Sequence, residues 1–152
     1  MDFCFETGQI EYKTGYKYQL HADTIVHIPV LAPYAGRSLG FIEILPAGRL
    51  KIKKGYAWDG ASGPTYDSLS TMRAALIHDV LYQLMRNKII PESFRGMADE
   101  LLYDIGTNDG MCKLRAGGWV LGLDAFGAAN AKAGKTRTVH RAPKEKYLIK
   151  KG

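Results

Sequence analysis

Apolar residues recur at helical spacing through the middle of the chain. The first such pattern begins near Asp67 or Ser68, either of which can cap a helix, and continues to about Asn87. Its apolar positions cover much of the helix circumference, which predicts a core helix rather than a surface helix. They are Leu76, Ile77, Val80, Leu81, Leu84 and Met85.

A second helical pattern follows a short connection at residues 88–90. Pro91 suits its first turn, where a missing N–H leaves no hydrogen bond unmade. Its apolar face consists of Phe94, Met97, Ala98, Leu101 and Ile105. A connection this short predicts that the two helices lie antiparallel and adjacent. A third helix, rich in small residues, is predicted from Lys113 to about Ala133.

The N-terminal third has the apolar runs and the turn residues that are typical of β-strands. Strands are predicted at residues 17–20, 24–30, 40–45 and 50–53, with a proline-containing loop at 31–36 and a turn at 46–48. The sequence therefore predicts an α+β fold. Antiparallel β-hairpins or a small sheet are followed by a three-helix half with a central antiparallel helical hairpin. We predict a single α+β domain over residues 1–134.

The net charge of +6 belongs to the C-terminal tail, residues 135–152. This tail holds seven lysines and arginines and one glutamate, so the preceding residues are neutral as a group. Such a tail is typical of a solvated end. It is equally typical of a segment that binds a phosphate-rich partner, whether nucleic acid or lipid headgroups, or an acidic protein surface.

Cysteine content and the first residues bear on the compartment. Cys4 and Cys112 are too few for a disulfide framework and have no metal-ligand spacing, so we expect ordinary thiols. The acidic start at Met1–Glu6 lacks the apolar run of a secretory signal, which predicts synthesis in a reducing cytoplasm. The apolar run Trp119–Leu123 is too short to cross a bilayer, so no transmembrane segment is predicted.

A polar pair, His78 and Asp79, interrupts the first apolar helix. Asp99 stands on the second helix, and the antiparallel hairpin predicts that it lies within hydrogen-bond reach of His78, at about 2.6–3.2 Å. Tyr82 lies one turn after His78 on the same side of the helix. The sequence therefore predicts that His78, Tyr82 and Asp99 meet between the two helices.

These residue types suit general-base chemistry. An imidazole, whose reference pKa is about 6.5, can take a proton from water at neutral pH. A carboxylate on its other nitrogen fixes the tautomer and stabilises the imidazolium. Asp79 is turned about 100° away from His78, so it can hold a hard cation with loop oxygens while His78 activates water. Such a cation would stabilise the oxyanion formed when an ester is attacked.

Two alternatives need no catalysis. Asp99 can pair locally with Arg95 while His78, Asp79 and Tyr82 form a buried hydrogen-bonded network that joins the helices. The same residues can also hold a metal or ligand without turning it over. For Asp59 the simplest interpretation is a turn, because Asp-Gly is a common turn pair.

Three separated motifs carry a resemblance to a known family. They are Gly-Tyr-Ala-Trp-Asp-Gly-Ala-Ser-Gly-Pro at residues 55–64, Ala-Ala-Leu-Ile-His-Asp-Val-Leu-Tyr at 74–82 and Arg-Gly-Met-Ala-Asp at 95–99. Their order resembles a domain-of-unknown-function family of tailed phages and prophages, over roughly residues 15–130. The resemblance implies a phage protein, made in the host bacterial cytoplasm, and it implies no activity.

A second resemblance concerns the chemistry. His-Asp-x-x-Tyr followed by Ala-Asp on the next helix resembles the compact phospholipase A2 domain of parvovirus capsids. The resemblance implies His78 as the general base, Asp99 as its orienting carboxylate and Tyr82 as the tyrosine that supports this carboxylate. It implies a calcium site formed by Asp79 and by the upstream loop, whose ligands are Asp59, Gly60 and Gly63. This loop differs from the family's calcium loop because it adds a carboxylate at Asp59.

Two functions are therefore predicted as alternatives. The first is a calcium-dependent, phospholipase A2-like lipid esterase of a phage, which acts on a bacterial membrane surface during entry or lysis. The second is a non-enzymatic virion or accessory protein, which uses the helical hairpin to pack against other virion proteins and the tail 135–152 as a tether.

Overall fold

The structure is a computed structural model that describes residues 3–6, 12–13, 18–60 and 68–131. Within these residues the chain divides into two compact units after Asp59, a sheet unit before that point and a helical unit after it. Antiparallel strands are followed by three α-helices in the described residues, which confirms the predicted α+β class. The single domain over residues 1–134 stays a prediction, and the tail 135–152 lies outside the described residues.

The sheet unit contains two antiparallel sheets. One has five strands in the order β1-β4-β7-β6-β5, and the other has three in the order β2-β3-β8. The strands are β1 (Cys4–Phe5), β2 (Tyr12–Lys13), β3 (Tyr18–Leu20), β4 (Thr24–His27), β5 (Ser38–Leu39), β6 (Ile42–Leu45), β7 (Arg49–Ile52) and β8 (Ala57–Trp58). Alternate residues of β4, β6 and β7 are buried, as the period of a half-buried strand requires.

The hairpin of β6 and β7 is the predicted one. Its strands pair in the register Ile44 with Leu50, so that alternate apolar residues of both strands face one core. The turn Pro46–Gly48 contains two residues with positive φ, Ala47 at 61° and Gly48 at 74°. A Cβ on Gly48 would lie 2.4 Å from the carbonyl oxygen of Ile28, so only glycine fits there.

The strand predicted over residues 24–30 was too long. It ends at His27, and Pro29–Tyr34 forms a 3₁₀ helix where the end of that strand and a loop were predicted. Proline explains the difference, because Pro29 has no N–H to donate to a neighbouring strand. The N–H of Ile28 leaves the ladder as well and donates to the carbonyl of Gly48 at 2.9 Å.

Side-chain hydrogen bonds connect the residue that follows β1 to β4 and β7. The carboxylate of Glu6 accepts hydrogen bonds from Arg49 Nε at 2.8 Å and from His27 Nε2 at 2.9 Å. The hydrogen bond from Arg49 is the main cause, and that from His27 the second, of a pKa of Glu6 below its ordinary value. The two-residue strand is thus supplemented by side-chain contacts that its short ladder does not provide.

The helical unit contains α1 (Leu69–Arg86), α2 (Arg95–Asn108) and α3 (Lys113–Ala131), close to the predicted segments. Ser68 caps α1, and its N–H donates to Thr71 Oγ1 at 2.8 Å. Pro91 precedes a short 3₁₀ turn, Glu92–Phe94, that runs into α2. The prediction had Pro91 in the first turn of the second helix, whereas α2 begins one turn later, at Arg95. Almost all of α1 after its first turn is buried, which confirms a core helix. None of the helices in the described residues is long and apolar enough to cross a membrane.

The end of α1 supplies a stability prediction. Ile89 N–H bonds the carbonyl of Leu84 and Lys88 N–H that of Met85, a C-terminal motif that usually has glycine in the left-handed position. Here Lys88 has φ 58°. Lys88→Gly should raise the free energy of unfolding by about 0.5–1 kcal/mol, measured by urea denaturation. Glycine removes the strain of the positive φ, and this gain exceeds the loss that comes from the greater conformational entropy of the unfolded chain.

The end of α2 provides the control for this prediction. Gly110 occupies the equivalent position with φ 99°, and Met111 N–H bonds the carbonyl of Gly106. Gly110→Lys should lower stability by about 1 kcal/mol. A Lys88→Gly variant less stable than the wild type would contradict the assignment of strain to Lys88.

Candidate active site

The helical hairpin brings His78, Tyr82 and Asp99 together. The separation between His78 Nε2 and Asp99 Oδ1 is 2.7 Å. The hydroxyl of Tyr82 donates to the same carboxylate oxygen at 2.9 Å. The predicted contact of His78 with Asp99 is therefore confirmed, whereas the catalytic roles of the three residues stay predictions.

The spacing along the two helices explains this meeting. Ala74, His78 and Tyr82 follow one another at one-turn intervals on α1. On α2, Asp99 and Gly106 lie seven residues, or about two turns, apart on one face. A Cβ built on Gly106 would lie 3.9 Å from that of Ala74, which marks a close approach of the two helices. Because the helices are antiparallel, two turns back along α2 from this approach place Asp99 opposite Tyr82 and His78.

The site is almost completely buried. The side chains of His78 and Asp99 are 9% and 7% exposed, and Tyr82 is buried. The rings of His78 and Tyr82 lie with centroids 4.2 Å apart and planes at 31°, so the tyrosine ring covers the imidazole. Buried hydrogen bonds of this kind fix side-chain positions, because the low local dielectric makes an unmade bond costly.

The carboxylate determines the tautomer of His78. An ionised carboxylate only accepts hydrogen bonds, so Nε2 carries the proton that faces Asp99. In the neutral ring, Nδ1 then has the free lone pair. No hydrogen bond to this nitrogen is formed by any residue in the described part of the chain. The imidazole is therefore oriented through Nε2, and Nδ1 is the nitrogen that would serve as a base.

The predicted calcium ligands are distributed over the chain. Asp79 is half-buried on α1, and Gly60 is buried in the helical unit. Asp59 is exposed and belongs to the sheet unit, and Gly63 lies outside the described residues. The described residues contain no group of three histidine, cysteine or acidic side chains placed to hold a metal ion. The predicted calcium set stays a prediction.

Sequence reasoning missed further polar residues in the helical unit. Gln83 and Arg86 are buried on α1, one and four positions after Tyr82. The sequence signal for them was the same as for His78: a polar side chain within an apolar helix. Arg73 and Asp109 form a two-armed ion pair, with Nε and Oδ2 separated by 2.8 Å. No local pattern could indicate it, because the two residues are 36 positions apart.

The arrangement can perform one kind of chemistry with the residues described. A proton acceptor at Nδ1 is held by a carboxylate at Nε2, and the carboxylate is itself held by Tyr82. This is the geometry of a general base with a fixed tautomer. No protein-family model, no curated protein and no solved structure matches the chain.

Proposed function

We propose that the protein is a hydrolase of phospholipid esters, similar to phospholipase A2 and encoded by a phage. The observation that carries the proposal is the buried contact between His78 Nε2 and Asp99 Oδ1, at 2.7 Å, which leaves Nδ1 as the base. Release of fatty acid from phospholipid vesicles by the intact chain, with calcium present, tests it. Activity of the wild type that depends on His78 supports the proposal.

The mechanism follows from the two nitrogens of His78. Nδ1 takes a proton from a water molecule as the oxygen of that water attacks the ester carbonyl. The imidazolium is stabilised by Asp99, which stays ionised, and Tyr82 keeps the carboxylate in place. When the tetrahedral intermediate collapses, the bond to the alcohol oxygen breaks. That oxygen takes the proton from Nδ1, so the products are a carboxylic acid and an alcohol and His78 is neutral again.

The phage assignment rests on sequence motifs. The order of the segments 55–64, 74–82 and 95–99 resembles the phage and prophage family, and the His-Asp-x-x-Tyr pattern resembles the parvoviral lipase domain. We propose synthesis in the host bacterial cytoplasm and action on the bacterial membrane during entry or lysis. Action during entry requires the protein to be carried in the virion.

Calcium is the cofactor that we propose, because a carboxylate such as Asp79 is a hard oxygen donor of the kind that calcium prefers. Calcium that binds only the folded chain should add about 2.7 kcal/mol to the free energy of unfolding when its concentration is a hundred times Kd, and the melting temperature should rise accordingly. Asp79→Asn should abolish this gain and leave the metal-free fold intact. The measurement is thermal unfolding with calcium or with chelator.

A matched control comes from the neighbouring helix. Glu100 is exposed on α2, so Glu100→Gln removes one carboxylate of the helical unit without touching Asp79. This variant should keep the calcium-dependent shift. Absence of any shift in the wild type at millimolar calcium would contradict the cation site, and the general-base proposal would then stand without it.

One observation favours the second candidate function, a non-enzymatic virion or accessory protein. His78, Tyr82 and Asp99 are all buried and bonded to one another, as in a network that joins two helices. In that case the hairpin is a packing unit and the tail 135–152 is a tether to a phosphate-rich partner or another virion protein. Activity and stability of variants at His78 and Asp99 separate the two functions.

A further inference from the structure

One face of α3 carries two leucines that are exposed almost completely. Leu114 is 88% exposed and Leu121 is 74% exposed, and the two lie two turns apart on the same side of the helix. The opposite side, formed by Ala116, Trp119 and Leu123, is buried. A Cβ built on Gly118, between the leucines, would meet no atom within 4 Å. The described residues therefore leave this apolar side of α3 open.

A third exposed leucine lies on a neighbouring helix. Leu69, the first residue of α1, is 84% exposed. The guanidinium of Arg115 donates to Ser68 Oγ at 3.3 Å, which places the first turns of α1 and α3 beside each other. Single exposed leucines need no explanation, but three exposed leucines on two neighbouring helices are a candidate interaction site. We call Leu69, Leu114 and Leu121 the leucine face.

Two basic residues lie beside the leucine face at the start of α3. Lys113 is exposed in the first turn of α3, and Arg115 follows Leu114. No acidic residue lies in the first turn of α1 or of α3. The N-terminal end of a helix is itself positive, so basic residues there gain nothing from the helix dipole. An anionic partner would compensate the combined positive charge.

We propose that the leucine face docks on the surface of an anionic phospholipid bilayer. The leucines would enter the boundary between headgroups and acyl chains while Lys113 and Arg115 lie at the level of the phosphates, as in other interfacial helices. The choice of a bilayer as occupant rests on the proposed function, because the same phospholipids would be its substrate. Binding is measured on vesicles without hydrolysis, so either proposal can fail alone.

The first test removes the leucines from the full-length chain. Leu114→Gln with Leu121→Gln keeps two helix-forming side chains and should lower the partition onto phosphatidylglycerol vesicles by about tenfold or more, because the apolar burial is lost. Val30→Gln is the control, since Val30 is 42% exposed but lies in the sheet unit. The chain with native leucines, the double leucine variant and the Val30→Gln variant all carry His78→Gln, so that hydrolysis does not change the vesicles.

The second test compares two charge reversals of equal size. Lys113→Glu should weaken binding to phosphatidylglycerol vesicles by about tenfold, because each basic residue near the surface contributes to attraction by anionic lipid. Lys88→Glu makes the same change of net charge at the far end of α1, where Lys88 is exposed. It should weaken binding much less. Equal effects of the two reversals would mean that attraction follows net charge alone, which overturns the proposal.

The two native cysteines report where the membrane lies. Cys112 is exposed directly before Lys113, and Cys4 is exposed in the sheet unit. A polarity-sensitive fluorophore on Cys112, in a Cys4→Ser chain, should shift to the blue on phosphatidylglycerol vesicles. The same fluorophore on Cys4, in a Cys112→Ser chain, should not. A shift at Cys4 alone would place the membrane contact elsewhere and overturn the proposal.

A second copy of the chain is the competing occupant of the leucine face. Sedimentation of the wild type and of the Leu114→Gln, Leu121→Gln variant distinguishes the two. A wild type that is monomeric without vesicles supports the bilayer as occupant. A dimer that the two substitutions dissociate, with vesicle binding unchanged, would show that the face is a subunit interface and would overturn the proposal.

Discussion

His78→Gln should lower the hydrolysis of phospholipid vesicles by about 10²–10⁴-fold, which is the usual contribution of a general base. Glutamine can still donate a hydrogen bond to Asp99, so the helical unit should stay folded, but its amide cannot take a proton from water. Fatty-acid release by the wild type and by the variant, with the folding of both checked, tests this expectation.

Asp99→Asn should have a smaller effect than the loss of His78. The asparagine no longer stabilises the imidazolium and can favour the wrong tautomer, yet the base itself remains. A loss of about ten- to a hundredfold is expected, as for other residues that orient a functional side chain. Tyr82→Phe removes one hydrogen bond to the carboxylate and serves as the mildest member of the series. This order of effects is specific to catalysis.

The structural alternative predicts a different result from the same proteins. A network that only joins α1 and α2 gives no turnover in the wild type. Asp99→Asn and Tyr82→Phe then cost stability, about 1–3 kcal/mol each, because each leaves a buried partner without its hydrogen bond. Stability loss combined with absent hydrolysis of every lipid tested would decide for the second candidate function.

The sequence was most informative where pattern and length constrained the chain together. The helical period of Leu76–Met85 and the short connection before Pro91 predicted two antiparallel neighbours. Once the helices are antiparallel, their apolar faces set their rotation, and this rotation brings His78 to Asp99. The contact was therefore predictable although the two residues are 21 positions apart. A polar residue in an apolar helix was the sufficient signal.

The remaining features depend on contacts that no local pattern specifies. Strands β1, β2, β5 and β8 have two residues each, too few for an alternation to be visible. Pro29 had been counted within a strand although its missing N–H ends the ladder before it. The ion pair of Arg73 with Asp109 needs the finished hairpin, because it joins the first part of α1 to the end of α2.

That ion pair leads to the largest stability effect that we expect. Asp109 caps the C-terminal end of α2, where the helix dipole is unfavourable for a carboxylate. Both arms of Arg73 bond it, and the two side chains are only 14% and 10% exposed. Arg73→Met should lower the free energy of unfolding by about 3–5 kcal/mol, because it leaves a mostly buried charge without its partner. Arg73→Met combined with Asp109→Leu should recover much of this loss, since no buried charge is then left without a partner.

An exposed pair in the same chain is the matched control. Lys53 and Glu43 approach to 2.7 Å, but their side chains are 40% and 31% exposed. Lys53→Met should cost about 0–1 kcal/mol, because water screens such a pair and solvates the carboxylate that remains. Urea denaturation of both single variants compares pairs of similar separation and different burial. If Arg73→Met costs no more than Lys53→Met, water reaches Asp109 in solution, and burial of this pair does not stabilise the hairpin that positions His78 and Asp99.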